Sequence, residues 1–417
     1  MIQKLLFLMI FPLILFSQGK ILIPMDLTQT NHLKAYGVTY KALELGSIAD
    51  WLLNYKGGAF LIDYNPEVIR LCHLRGVSYD IVSDANVVNI YSFVQDENNN
   101  MDVVRLEKAP KIAIYVPPYF KPWDDAVMLA LEYAEVPYTK VWIKEILSGE
   151  LSKYDWLHLF HEDFTGQYGK FYASYANAAW YIQQQATYEQ EARSLGYKKV
   201  SKMLLDVVFE IKKYVANGGF LFAMCSATDS YDIALAAQNT DICGPMFDGD
   251  PIDPDYEKKL DFSQTFAFEN FKIMIDPYIY EYSDIDIQPN EILSRENDYF
   301  TLFDFSAKYD PVPTMLTQCH TNMIAGFMGQ TTSFRKELIK KSVIILGEKA
   351  NTNQVKYLHG NFGRGTFTFY GGHDPEDYQH LVGDPPTNLE LYKNSPGYRL
   401  ILNNILFPAA KKKKQKT

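Results

Sequence analysis

The chain has 417 residues, of which 47% are hydrophobic, 22% are charged and 15% are aromatic, and its formal net charge is −10. Such a chain can bury a large core and is long enough for two or three domains. Nucleic-acid binding depends on Lys and Arg that neutralise phosphates, so we expect this acidic chain not to bind nucleic acid.

The first 19 residues have the three-part layout of a secretory signal peptide. Lys4 gives a positive start, an apolar run follows from Leu5 to Phe16, and Ser17 to Gly19 offer a cleavage site. The apolar run spans about a dozen residues, whereas a membrane-spanning helix needs roughly 20. We therefore expect residues 1–19 to be removed and the protein to be periplasmic or secreted. A short membrane anchor is the alternative.

Residues 20–110 alternate short apolar strands with helical segments, and we interpret them as an N-terminal βα segment. Strands are predicted at Ile21 to Met25 and at Ala49 to Leu53, with a helix between them that ends near Leu45. Another strand, helix and strand are predicted between Ala59 and Ile81.

Residues 111–240 continue the alternation. The predicted strands cover residues 111–116, 136–141, 154–160 and 220–224, and the predicted helices cover residues 123–134, 202–215 and 230–238. Such alternation is typical of an α/β fold, in which a parallel sheet carries helices on both faces.

The remaining chain divides into three parts. Residues 241–354 are rich in Asp, Pro and aromatic side chains, and we interpret them as a long α+β insertion. Residues 355–408 return to the α/β core with two strands around a Gly-rich turn and a closing helix from Ser395. Residues 409–417 are a Lys-rich tail, which is expected to be disordered.

Cys225 is the first candidate for chemistry. It directly follows the apolar strand FLFAM and precedes a helix, and the small residues Ala223 and Ala227 flank it. A strand-to-helix turn holds a nucleophile above a sheet, where the first amides of the helix stabilise negative charge. The alternative is a structural cysteine at a strand end. Cys72, Cys243 and Cys319 complete a set that matches no zinc template but allows a disulfide.

His373 is the second candidate, because it comes just after the late strand TFTFY. Asp374 and Glu376 follow it closely, and a histidine with a nearby carboxylate suits a general base with its orienting acid. The alternative is a histidine that caps a turn.

Together these two parts resemble the class I glutamine amidotransferase-like family. The resemblance covers roughly half the chain and implies a flavodoxin-like sheet, with Cys225 as nucleophile, His373 as base and Glu376 as the orienting acid. The sequence departs from the family pattern in three places. Alanines replace the glycines around the cysteine, Glu376 comes one residue late, and His161 to Phe164 stand where the family has an oxyanion-binding Gly-Gly turn.

The segments KILIPMDLTQTNHLKAYG and ADWLLNYKGGAFLID also resemble a group of secreted bacterial proteins often labelled asparagine synthetase B. That label implies an N-terminal nucleophilic cysteine and an SGGxDS-type ATP loop. Ile2 occupies the corresponding position here, and the sequence has no such loop.

These observations leave two functional hypotheses. The first is a secreted cysteine-dependent amide hydrolase of the glutaminase type, and the second is a non-catalytic envelope module on the same fold. Either would take a small-molecule amide, a sugar or a peptide, and neither requires a cofactor or a metal.

Two weaker candidates involve metals. His158 and His161, with Glu162 and Asp163, have ligand chemistry, but a spacing of three on a strand points the two histidines to opposite faces. The acidic residues Asp248, Asp250, Asp253 and Asp255 offer oxygen ligands for calcium, although a solvated acidic loop fits them better.

Overall fold

The computed structural model describes residues 19–118, 125–318, 321–379, 381 and 383–410. The predicted signal peptide before residue 19, the residues Cys319 and His320, and the tail after residue 410 lie outside this part of the chain. Among the helices of the described ranges, none is long and apolar enough to cross a membrane.

The N-terminal segment forms an antiparallel sheet. Its elements are β1 (Lys20–Ile23), α1 (His32–Glu44), β2 (Ala49–Leu53), β3 (Ala59–Asp63), α2 (Pro66–Arg75), β4 (Asp80–Val82), α3 (Asp84–Gln95) and β5 (Asp102–Leu106). The strand order is β4-β1-β3-β2-β5, and every neighbouring pair is antiparallel.

The expectation of a parallel sheet is therefore wrong for this segment. Each of the helices α1 and α2 connects two strands that run in the same direction, as the helix of a βαβ unit does. However, a tight turn at residues 54–58, where Asn54 and Gly58 have positive φ angles, joins β2 and β3 as a hairpin. Each helical crossover consequently spans an oppositely directed strand, which is the split βαβ arrangement.

The second segment has the expected alternation of strands and helices. Its elements are β6 (Ile112–Tyr115), α4 (Ala126–Ala134), β7 (Thr139–Val141), α5 (Ile143–Leu147), β8 (Trp156–Leu159), α6 (Tyr172–Tyr175), α7 (Ala179–Ser194), α8 (Val200–Ala216), β9 (Phe220–Met224) and α9 (Ser226–Ala236).

The rest of the chain adds further strands and short helices. They are α10 (Pro245–Asp248), α11 (Tyr256–Lys259), β10 (Tyr299–Leu302), α12 (Pro313–Leu316), β11 (Met323–Ala325), β12 (Phe334–Arg335), β13 (Ile344–Glu348), β14 (Gln354–Phe362), β15 (Gly365–Tyr370) and α13 (Pro396–Leu406).

The strands from β6 to β15 form a second, mixed sheet. Strands β15-β9-β8-β6-β7 are parallel neighbours, which agrees with the α/β prediction for this part of the chain. Successive side chains of a strand point to opposite faces. On β6, Ile112 and Ile114 accordingly pack with α4 and α13, whereas Ala113 and Tyr115 pack with α5, α8 and α9. Helices thus cover both faces, and the chain has a mixed α/β fold.

The insertion continues this sheet instead of forming a separate layer. Strand β14 pairs antiparallel with β15, β13 and β12, and β10 and β11 extend the edge beyond β13. Asp232 of α9 also fixes the insertion, because its carboxylate accepts hydrogen bonds from the backbone N–H groups of Phe266, Ala267 and Phe268. These three hydrogen bonds hold residues 266–268 of the insertion against α9.

Candidate functional site

Cys225 lies at the turn between β9 and α9, within the parallel strands. Its backbone has φ 53° and ψ −141°, a region that residues with a side chain rarely adopt, and such strain costs roughly 1–3 kcal/mol. The residue is 4% exposed and is the N-cap of α9, so it lies at the positive end of the helix dipole. The predicted strand-to-helix turn is therefore present, in a strained form typical of functional sites.

A loop of the insertion, residues 328–332, contacts this cysteine. The backbone N–H of Gln330 donates to Cys225 Sγ over 3.2 Å. Burial raises the pKa of the Cys225 thiol above its ordinary value, whereas the backbone N–H groups of Thr331, Gln330 and Ser226 oppose that rise. Several amides thus point toward the sulfur, and they favour negative charge at that position.

The same loop is joined to the segment that carries His373. The backbone N–H of His373 donates to the carbonyl of Met328 over 2.9 Å, and that of Gly372 donates to Thr331 over 2.8 Å. Gly372 has φ 90°, and a Cβ there would approach Phe327 to 2.3 Å, so the position requires glycine. The 328–332 loop therefore ties the strand end at β15 to the turn at β9.

His161 is the hydrogen-bond partner of the His373 ring. His373 Nε2 and His161 Nδ1 are 3.0 Å apart, and which nitrogen donates depends on the tautomers of the two rings. The carbonyl of His161 accepts a hydrogen bond of 2.8 Å from the Ser226 hydroxyl. This pair of imidazoles can pass or share a proton beside the cysteine turn.

Glu376, the predicted orienting acid, has a different hydrogen-bond partner. Its carboxylate accepts from the Ser395 hydroxyl at the start of α13, and burial raises its pKa above the ordinary value. Asp374 accepts from the backbone N–H of Glu376 and from the Thr387 hydroxyl. Among the described residues that line the large cavity beside Cys225, Glu376 does not occur.

A large cavity opens beside these groups. Its volume is about 820 Å³, which lies in the range of small-molecule sites. The residues that line it include Cys225, Ser226, His161, His373, Gln330, Phe171, Trp180, Gln183, Gln184, Thr187 and Tyr280. Cys225 and His373 thus line the same cavity, and His161 lines it with them.

The acidic turn that follows β8 also reaches this cavity. Its carboxylates have partners of their own: Glu162 accepts from the Tyr188 hydroxyl, and Asp163 accepts from the backbone N–H groups of Thr165 and Gly169. An acidic turn at this position opposes a developing oxyanion. The donors partly compensate the negative charge of each carboxylate, so the repulsion of an oxyanion is weaker.

Buried ionisable groups support the 328–332 loop from behind. The Thr331 hydroxyl donates to Asp229 over 2.8 Å, and burial raises the pKa of Asp229 to about 7. Lys356 Nζ donates to the carbonyls of Phe327 and Thr332 over 2.5 and 2.6 Å, and burial lowers its pKa to about 7. Such perturbed groups cluster at functional sites.

Members of both predicted metal sets are engaged by other side chains among the described residues. His158 Nε2 lies 2.9 Å from Asp125, and its Nδ1 lies 3.1 Å from the carbonyl of Phe222, so both of its nitrogens are engaged in the core, away from His161. In the acidic loop, Lys199 Nζ lies 3.0 Å from Asp248 and 2.8 Å from Asp250. The lysine already compensates these carboxylates, which a calcium ion would otherwise do.

The described cysteines differ in their surroundings. Cys72, Cys225 and Cys243 are free and buried, so no disulfide joins them. Cys243 Sγ donates to the carbonyl of Thr165 over 3.3 Å. Among these three, Cys225 lines the large cavity.

Sequence reasoning missed the contribution of the insertion to the site. Nothing in the segment around Gln330 indicates that its amide meets a cysteine 105 positions away. The position of His161 at a strand end is a signal in the sequence, but its spacing from His158 indicates a metal pair instead. The position of Asp229 is also a signal in the sequence, because a carboxylate four residues after a buried nucleophile lies on the same helix face.

No family model matches the chain, and no curated protein matches it. Among solved structures, a cytoplasmic protein of Salmonella typhimurium is 11% identical with a TM-score of 0.34, and covers 72% of this chain and 100% of its own. A second cytoplasmic protein, from Salmonella typhimurium LT2, is 9% identical with the same coverages and a TM-score of 0.34. An exo-β-1,4-mannosidase from an Opitutaceae bacterium is 11% identical, covers 63% of this chain and 31% of its own, and has a TM-score of 0.28. We base no functional argument on similarities at these TM-scores.

Proposed function

We propose that the cavity is the active site of a cysteine-dependent hydrolase that cleaves an amide bond, built on a class I glutamine amidotransferase-like fold. One observation carries the proposal: the strained Cys225 receives the Gln330 amide on its sulfur and shares a cavity with the His161–His373 pair. The parallel order β7-β6-β8-β9-β15, with the cysteine after β9 and the histidine after β15, supports the fold assignment.

In the proposed reaction His373, assisted by His161, takes the proton of the Cys225 thiol. The sulfur then attacks the carbonyl carbon of the amide, and the carbonyl oxygen becomes an oxyanion. In this proposal the backbone N–H of Ser226, which follows the nucleophile, donates to that oxyanion. The C–N bond breaks as the imidazolium gives its proton to the amine. Water, deprotonated by the same imidazole, finally hydrolyses the thioester and restores the thiol.

His161 takes the orienting role in this proposal in place of Glu376. An orienting group must hydrogen-bond the base, and His161 does so over 3.0 Å, whereas the Glu376 carboxylate accepts from Ser395. We retain the proposal that the mature protein acts outside the cytoplasm.

The proposal is tested with an activated ester such as p-nitrophenyl acetate. Rapid release of one equivalent of nitrophenol, with the acetyl group on Cys225 by peptide mapping, supports it. Acetylation at other residues alone, or the same burst from a Cys225→Ser variant, contradicts it. Cys225→Ser is a suitable control because it keeps the side-chain size and a hydrogen-bond acceptor for the Gln330 amide.

A non-catalytic binding module is the second candidate, and the pKa of Cys225 favours it. Burial raises that pKa above its ordinary value, so the resting thiol is neutral at neutral pH and is a weak nucleophile. The same acetylation experiment separates the two candidates. A binding module takes up ligand with no covalent intermediate.

A further inference from the structure

One wall of the cavity is formed by a single face of α7. Trp180, Gln183, Gln184 and Thr187 all line the cavity, and their spacing of three, four and seven residues places them on one side of the helix. These four side chains are exposed or half-buried, whereas the buried side of α7 carries Tyr181 and Tyr188. The face toward the cavity combines an indole with two side-chain amides and a hydroxyl, which is a composition suited to a ligand.

Aromatic rings lie beside this face. Phe171 stands edge-on to Trp180, with ring centroids 5.5 Å apart, and lies 5.8 Å from the ring of Tyr280. Trp180 is 40% exposed and Tyr280 is 44% exposed, although both belong to a well-formed cavity. Large rings left half exposed around a cavity offer apolar surface that a ligand can cover.

The charged side chains around the cavity disfavour an anionic ligand, because the carboxylates of Glu162 and Asp163 also line it. Among the described residues that line the cavity there is no Lys and no Arg. An anionic substrate is normally held by such cations. Among these described residues the α-carboxylate of free glutamine would find no Lys or Arg partner, and a cavity of about 820 Å³ far exceeds the needs of one amino acid.

One polar atom on the same wall is left unpaired. Gln184 Oε1 is buried and has no hydrogen-bond partner among the described residues. A buried acceptor without a donor costs roughly 1–3 kcal/mol. A hydroxyl or amide N–H of a ligand at the α7 face would satisfy it.

We propose that this wall is a saccharide-binding subsite, which holds a neutral sugar ring that carries the amide cleaved at Cys225. The apolar C–H face of a sugar covers an exposed aromatic ring such as Trp180. The hydroxyls around its edge bond to Gln183, Gln184 and Thr187, with Gln184 Oε1 as acceptor. The cleavage step rests on the proposed function, whereas the binding step does not.

The test is calorimetric titration of a Cys225→Ala variant of the mature chain with a panel of neutral trisaccharides, including triacetylchitotriose, and with L-glutamine. We expect at least one saccharide to bind. Trp180→Ala should weaken that binding about tenfold or more, because an aromatic contact and its buried area are lost. Gln184→Leu should also weaken it, and Ile182→Ala, on the same helix but outside the cavity, should leave it unchanged.

Three results overturn the inference: no saccharide binds, Trp180→Ala has no effect on binding, or L-glutamine binds more tightly than every saccharide. Acetylation of the wild-type thiol distinguishes this failure from failure of the proposed function. Saccharide binding without acetylation of Cys225 refutes the hydrolase and keeps the subsite. Acetylation without saccharide binding refutes the subsite and keeps the hydrolase.

Discussion

Replacement of Asp229 by asparagine is predicted to stabilise the protein at neutral and alkaline pH. Asp229 is fully buried below the cysteine turn. Its Oδ1 accepts from the Thr331 hydroxyl and from the backbone N–H of Ser230, and an asparagine carbonyl can accept both hydrogen bonds. Its Oδ2 has no partner among the described residues, so an NH₂ group there displaces no donor.

The magnitude follows from the pKa of Asp229, which burial raises from 3.8 to about 7. A raised carboxyl pKa contributes stability below pH 3.8, and that contribution is lost as the pH rises through 7, because the folded protein keeps a proton that the unfolded chain releases. The difference of about 3 pH units corresponds to an upper bound of about 4 kcal/mol. The asparagine variant has no carboxyl group at this position, so its free energy of unfolding should not fall in this way as the pH rises.

Urea unfolding of both proteins between pH 4 and 8 measures the effect. The free energy of unfolding should be similar at pH 4, and the variant should gain stability progressively up to pH 8. Asp232→Asn is the contrasting variant, because Asp232 Oδ2 accepts from the N–H groups of Ala267 and Phe268, which an NH₂ group cannot do. Burial also raises the pKa of Asp232, to about 6, so this variant should share the pH trend, but the lost backbone hydrogen bonds should make it less stable than Asp229→Asn at every pH. A pH-independent difference, or destabilisation by Asp229→Asn at pH 8, refutes the reasoning.

The remaining predictions concern the site and the core. Cys225→Ser should lower the rate of p-nitrophenyl acetate turnover about 10³-fold or more, since the nucleophile is lost, with an unchanged circular dichroism spectrum. His161→Gln should slow acetylation about 10²-fold, whereas Glu376→Gln should change it less than about threefold; equal effects in stopped-flow bursts would contradict the assignment of the orienting group. His158→Phe should cost about 3–5 kcal/mol in urea unfolding, because it leaves the Asp125 carboxylate buried without its partner. The acetylation rate of the folded His158 variant should stay unchanged.

The parallel half of the sheet was predictable because local signals agree there. The apolar strand before Cys225, the helix after it and the Gly-rich hairpin around Gly363 each have a pattern that occurs in the structure. The amphipathic helix that ends at Asn217 is another such element, since its buried residues recur every three or four positions. Alternation of strands and helices then indicates an α/β sheet.

The direction of the N-terminal strands was not predictable in the same way. Strand, helix and turn signals are the same for a βαβ unit and for its split form. The split form arises when another strand inserts between the two strands that a helix connects. That insertion depends on pairing between distant residues. The hairpin turn at Asn54 is local, but the pairing of β1 with β3 is not.

The site was predictable only in its two strand-end residues. Cys225 and His373 follow apolar strands, and parallel strands bring such positions to one edge of a sheet. The Gln330 amide, the α7 wall and the His161–His373 hydrogen bond depend on long-range packing of the insertion and of the loop after β8. The nearness of Glu376 to His373 in sequence predicts an orienting acid, yet the Glu376 carboxylate accepts from Ser395.

The central claim is that Cys225 is a nucleophile activated by the histidine pair. The most direct measurement is the rate of iodoacetamide alkylation of Cys225, followed by peptide mass spectrometry in the native wild-type and in a His373→Ala variant. The account predicts alkylation of Cys225 ahead of the buried Cys72 and Cys243, with a marked loss of rate in the variant. A Cys225 that stays unmodified in the native protein, or that reacts equally fast without His373, would contradict it.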